Sequence, residues 1–204
     1  MATKGEATRE NILAMAEQII LQKGFTGTSI EDIINQANIT KSGFFYHFSG
    51  KNELASSLIE RYKKQDDEFF NGLFERAESL SEDPLQQMLI FMKLMAEMMA
   101  DIPNGHPGCL VASFTYESLQ FEEPILQEMR DGMLSWRALF AEHLQKIADH
   151  YPMKVETSVE DLADMLTTIL EGGIVTSLAL KDPNVLVQQL LQYRNHLRML
   201  FSSV

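Results

Sequence analysis

The chain has 204 residues, room for one large or two modest domains with a real core, and its 45% hydrophobic content excludes global disorder. No uninterrupted apolar run approaches the ~20 residues of a membrane span. The net charge of −12 hides an asymmetry: residues 1–64 hold eight Lys or Arg against seven Asp or Glu, whereas residues 65–204 hold nine against twenty-two, so only the front end is hospitable to phosphates.

The N-terminus, MATKGEATRE, is polar and lacks the apolar segment of a signal peptide, which points to the cytoplasm. A first helix is expected from about Glu6 to Lys23, with Ile12, Leu13, Ala16, Ile19 and Ile20 inward and Gly24 as its left-handed stop. Phe25-Thr26-Gly27 reads as a linker. Thr28 and Ser29 cap a second helix reaching about Asn35 or Gln36, with Glu31 and Asp32 in its first turn. Asn38 makes a turn, Thr40 opens a very short third helix, and Gly50 closes it. A long amphipathic helix follows, from about Lys51 to Ala77, with no flexible linker before it. Pro84 starts a helix ending near Asp101, residues 102–107 form a loop, and a short helix runs from about Gly108 to Leu119. Pro124 begins a helix reaching His150. After Tyr151-Pro152 come helices at about 158–180 and 184–201, separated by Lys181-Asp182-Pro183. The fold class is therefore all-α, with about nine helices.

Helix, turn and helix within about twenty residues is the helix-turn-helix pattern, whose second helix reads a DNA groove. The residues TRENIL, KGFTGTSIEDI and NITKSGFFYHFSGKNEL, over roughly positions 8–54, resemble the TetR family of transcriptional regulators, with Lys41, Tyr46, His47, Phe48 and Lys51 in the register of its signature. The resemblance implies two domains: a DNA-binding domain at 1–50, and a ligand-binding and dimerisation domain at 51–204. It further implies a homodimer on a palindromic operator of double-stranded DNA, released by a small-molecule effector. One departure stands out. The family usually has tyrosine where this chain has Phe45, and phenylalanine cannot donate to a phosphate, although it can press on a thymine methyl.

Within the front end, Lys41 and Ser42 sit at the start of the reading helix, where side chains reach base edges, and Gly43 has no side chain to obstruct approach. Thr28, Ser29, Thr40, Tyr46, His47 and Lys51 are phosphate candidates, being hydroxyls, an imidazole and an ammonium near helix N-termini. Phe44 and Phe48 are assigned to the core.

In the remainder, Met88, Met92, Met95 and Met99 recur on one helix face, and Met129, Met133, Trp136 and Phe140 form a second stripe. Methionine fills irregular space, so the two stripes read either as plain core or as walls of an apolar effector pocket. Cys109, in HPGCLV, is the single cysteine, which excludes an intrachain disulfide and a multi-cysteine zinc site. It is either a small buried residue or a thiolate with its pKa lowered by a helix N-terminus. The resemblance adds that Gly-Cys-Leu at this place occurs in a subgroup of the family, some of whose members sense electrophiles or oxidants. Glu117, Glu122, Glu123 and Glu128 read best as a solvated acidic face. His143 and His150 lack partners for a metal site, so no metal and no cofactor is assigned.

Leu162, Leu166, Ile169 and Gly173, followed by Val187, Leu190, Leu191 and Leu197, are expected at the dimer interface that the resemblance implies. An enzyme using the apolar cavity is the rival reading. Against it, the sequence shows no nucleophile–base–orienter set, phosphate loop or metal spacing. A helical binding or interaction module without DNA binding is the second rival. No membrane partner is expected.

Overall fold

A computed structural model describes residues 3–201. Among these the chain forms nine α-helices and one 3-10 turn, with no strand. The helices are α1 (Lys4–Lys23), α2 (Ile30–Ala37), α3 (Lys41–His47), α4 (Lys51–Glu78), α5 (Pro84–Ala100), α6 (Leu110–Tyr116), α7 (Glu123–Ala148), α8 (Val159–Leu180) and α9 (Asn184–Phe201); the 3-10 turn is Ser118–Gln120. The all-α expectation holds, and boundaries follow the local chemistry. Asp83 caps α5 by accepting from Gln86 N (2.7 Å), with Pro84 at its first position. Ser29 and Asp32 form a capping box at α2, and Asn38 ends that helix at φ 52°. Gly24 stops α1 at φ 79°.

Packing divides the chain into two compact units. The first holds residues 1–65 with 109–131, and the second holds 66–108 with 132–204. The packing boundary falls after residue 65, not at the expected residue 50, and the front unit also takes in residues 109–131.

In the first unit Ile12, Leu13, Ala16 and Ile20 of α1 are buried with Ile33, Ala37, Phe44 and Phe48. Asn11 Nδ2 donates to Ala37 O at the end of α2 (2.9 Å), and Arg9 Nη2 donates to Ser57 Oγ (2.8 Å). Arg61 pairs with both Glu10 and Glu17 of α1.

In the second unit α9 runs beside both α5 and α8. Gly173 lets α8 and α9 approach closely: a Cβ there would lie 2.7 Å from Leu186 Cδ1 and 3.2 Å from Leu186 Cα. Ser177 Oγ accepts from Leu186 N (3.0 Å), the Tyr193 hydroxyl donates to Leu162 O (2.7 Å), and Arg194 Nε donates to Leu89 O (2.9 Å).

The same unit holds an aromatic stack. Phe74 lies parallel to Phe91 at 3.9 Å on one side and to the His143 ring at 3.5 Å on the other. Burial in this stack, helped by the Lys146 charge, lowers the His143 pKa to about 4 against the opposing pull of Glu142. The unfolded chain takes up a proton near pH 6.5, while the folded chain waits until about pH 4. Stability from this residue is thus complete above pH 6.5 and falls as the pH drops towards 4. His143→Phe, which keeps the stack without the ionisation, is expected to flatten the fall of melting temperature over that window. Parallel profiles for the two proteins would count against this assignment.

Candidate functional site

α3 has only seven residues, too few to persist alone in water, and is held from two directions. Its first turn is capped by Thr40, whose Oγ1 accepts from Gly43 N (3.1 Å). Its inner face is Phe44 and Phe48, exposed by 0% and 1%, with ring centroids 5.7 Å apart. What remains outward is Lys41, Ser42, Phe45 and Tyr46, with His47 half-buried. Tyr46 is 82% exposed, and the Lys41 ammonium stands 3.9 Å from Glu31 with both side chains in solvent. The structure therefore brings Thr40, Lys41, Ser42, Phe45, Tyr46 and His47 together along one short exposed helix. Gly43 belongs there for a local reason too, since a Cβ would press on Thr40 Oγ1 at 3.2 Å.

Two expected phosphate contacts are placed differently. Thr28 is 1% exposed and its hydroxyl donates to Gly24 O (2.7 Å), so it holds a turn and cannot reach solvent. Lys51 points inward: its ammonium donates to Phe25 O (2.7 Å) and lies 4.1 Å from the centre of the Phe25 ring, and burial lowers its pKa. Ser29 is exposed, but its hydroxyl is engaged by Asp32 in the capping box.

The supposed linker Phe25-Thr26-Gly27 is a tightly held turn. Phe25 is buried with its ring 5.3 Å from Phe114 and 4.6 Å from Phe121. Glu117, the C-cap residue of α6, accepts from Phe25 N through Oε1 and from Thr26 N through Oε2, both at 2.7 Å. Burial pushes the Glu117 carboxyl up, but the hydrogen bonds from Thr26 and Phe25 and the charge of Lys51 outweigh it and hold the pKa below the usual carboxylate range. Gly24 accommodates this approach, because a Cβ there would sit 2.6 Å from Glu117 Oε1.

The neighbouring acids are engaged as well. Ser56 Oγ donates to Glu128, Asn52 Nδ2 donates to Glu122 (3.3 Å), and Arg130 pairs with Glu123. Of the four glutamates read as a solvated face, Glu122 and Glu123 are exposed as expected, whereas Glu117 and Glu128 are half-buried against intrachain partners. None sits close in sequence to what it binds except Glu123, so a single sequence carried no signal for them.

In the second unit Met88, Met92 and Met95 are buried and Met99 is half-buried. Trp136 and Phe140 pack on Phe70 with ring centroids 5.4 and 5.2 Å away, so that end of the α7 stripe already has aromatic neighbours; Met133 is half-buried. A cavity of about 340 Å³ in this unit is lined by Asn104, Gly105, His106, Ser177, Leu178, Lys181 and Pro183, none of them an expected effector contact. Met129 and Cys109 belong to the first unit. Cys109 is 5% exposed and acts as the N-cap of α6, its Sγ accepting from Ala112 N at 3.4 Å, which is the buried, structural arrangement of the two considered.

Five of the eight expected dimer residues also need correction. Leu162, Leu166, Gly173, Leu190 and Leu197 are buried within the single chain, where α9 packs beside α8 and α5, so their side chains are not at an outer surface. Ile169, Val187 and Leu191 are half-buried. The outward side of α8 carries Met165, Thr168, Gly172, Val175, Thr176 and Ala179 instead. Among the described residues no group of His, Cys, Asp and Glu is arranged to hold a metal ion.

Comparison with known proteins gives this geometry its context. Residues 12–58 match "Bacterial regulatory proteins, tetR family", and residues 84–189 match "Transcriptional regulator LmrA/YxaF-like, C-terminal domain". The HTH-type transcriptional regulator YxaF of Bacillus subtilis is 28% identical over 191 residues, covering 92% of this chain and 93% of YxaF. The HTH-type transcriptional repressor NemR of Escherichia coli is 24% identical over 138 residues, covering 68% of this chain and 67% of NemR. A TetR-family regulator from Agrobacterium tumefaciens shares the fold at a TM-score of 0.80 and 20% identity, covering 98% of this chain and all of the other. With an exposed reading helix on a buried aromatic base, and with matches to both halves of such regulators, this chain belongs to the TetR family of bacterial transcriptional regulators.

Proposed function

We propose that this regulator is a repressor: a homodimer that holds a palindromic operator through α3 and releases it when a small apolar, aromatic or electrophilic effector binds. Regulators of this family bind operator DNA and small effectors as dimers, and relatives such as NemR are named repressors. The observation that carries the reading is the division of α3, with Phe44 and Phe48 inward and Lys41, Ser42, Phe45 and Tyr46 outward at a capped helix N-terminus. Lys41 and Ser42 reach base edges; Thr40, Tyr46 and His47 reach phosphates; Phe45 presses on a thymine methyl. Thr28 and Lys51 hold the turn behind the helix. The effector is assigned to the region 51–204, beside the methionine stripe of α5 and the α7 stripe. The protein works where the DNA is, in the cytoplasm.

Two reading helices of a dimer address half-sites about one DNA turn apart, roughly 34 Å. An effector that favours another separation lowers operator affinity by the difference in its affinity for the two states. α4 is one unbroken helix from Lys51 to Glu78 and gives such a change a continuous route.

A titration against the promoter of its own gene, followed by fluorescence anisotropy, tests the reading. Absence of binding to any genomic fragment at low salt would overturn it. Lys41→Ala is expected to relax preference at one operator position by about 1–3 kcal/mol while sparing the others. Equal weakening at every sequence would show Lys41 to be a phosphate contact only.

A further inference from the structure

We propose that Glu117 is the positioning residue of the DNA-binding helices, a carboxylate clamp on the α1–α2 turn that keeps the reading helix pre-formed. The proposal rests on the DNA-binding reading above. It begins with the two backbone donors: Phe25 N and Thr26 N each give their hydrogen bond to one oxygen of the same side chain, at 2.7 Å. A carboxylate accepting two amides at once fixes both the position and the orientation of that peptide segment. The opposite pole of the turn is held by a cation, since the Lys51 ammonium bonds Phe25 O, and the Phe25 ring fills the space between Phe114 and Phe121. The turn is thus gripped at two donors, one acceptor and one side chain.

What the turn controls is the angle at which α2 leaves α1. α2 packs on α1 and α3 packs on α2, so the pose of the seven-residue reading helix is inherited from this turn. A loosened turn leaves the helix folded but mobile, and that mobility must be removed on binding DNA. The glycine at position 24 fits the same account: any Cβ there would collide with the clamping oxygen.

Electrostatics alone predicts the opposite sign. Removing a negative charge from the DNA-binding unit should raise affinity for a polyanion. The clamp predicts that Glu117→Gln, which keeps the shape but loses the charge, lowers operator affinity about tenfold. Glu117→Asp, which keeps the charge but draws the carboxylate back by one methylene, is expected to lower it similarly. Neither change removes a phosphate contact, so the slope of affinity against salt concentration stays as in the unsubstituted protein.

The test is anisotropy titration of the full-length protein and both variants at several salt concentrations, with hydrogen exchange of residues 24–29 and 41–47 measured alongside. Faster exchange in both segments, tenfold weaker binding and an unchanged salt slope are expected. Unchanged exchange overturns the clamp. Faster exchange with unchanged or tighter binding overturns the positioning role. Failure of the unsubstituted protein to bind DNA sinks the DNA-binding reading instead, a result the variants cannot mimic.

Discussion

Phe44→Ala is expected to destabilise the first unit by about 3–5 kcal/mol, while Phe45→Ala, one residue along, is expected to cost less than about 1 kcal/mol. Phe44 is 0% exposed and packs edge-on to Phe45 at 5.4 Å and against Phe48 at 5.7 Å; Phe45 is 45% exposed. Removing the buried ring leaves a cavity beneath a helix of seven residues, whose inner face then rests on Phe48. Since a domain has about 5–15 kcal/mol of stability in all, Phe44→Ala brings the unit close to its unfolding threshold. Operator binding goes with it, because the reading helix exists only on this base. On the proposed reading of α3, Phe45→Ala keeps the fold, gives up the edge-on contact with Phe44 and removes an apolar contact with a thymine methyl, so its main effect is on affinity for operators carrying thymine at that place. Urea denaturation followed by circular dichroism, beside anisotropy titration, separates the two. Equal destabilisation by both substitutions would contradict the inward and outward division of α3.

That division was legible in the sequence, as were most helix ends, because both are written in local chemistry. Gly24, Asn38, Pro84 and Ser158 act within a turn of their own position, so a periodic pattern read between such marks recovers α5, α8 and α9 closely. The turn at Phe25 was misread for the complementary reason. Its partners Phe114, Glu117 and Phe121 lie some ninety residues away, and nothing local distinguishes a clamped turn from a loose one. Lys51 shows the same limit: its place in the signature was visible, its direction was not, and the structure turns it onto Phe25 O. For α8 the difficulty was width. With apolar or small residues around much of its circumference, periodicity identified a helix without saying which side its own chain would cover.

The outward side of α8 supports the second large effect expected of a single substitution. Met165, Thr168, Gly172, Val175, Thr176 and Ala179 fall within roughly a 100° arc of the helix, and none carries a charge. α8 is long and apolar enough by composition to cross a membrane, yet only 39% of its apolar window is buried within the chain. In a family of dimeric regulators, the economical cover for such a face is the same face of a second copy, with Gly172 and Ala179 allowing close approach. Val175→Glu would bury one unpaired carboxylate from each copy in an apolar contact, which is strongly unfavourable for both. The variant is expected to sediment as a monomer with unchanged helicity. Operator affinity is then expected to fall on the order of a hundredfold or more, because each half-site must be held without the other. Analytical ultracentrifugation and anisotropy titration on the same preparations check both parts. A Val175→Glu protein that remains dimeric would move the interface off this face of α8, whereas a monomer with full operator affinity would show that one reading helix suffices and remove the need for a palindrome.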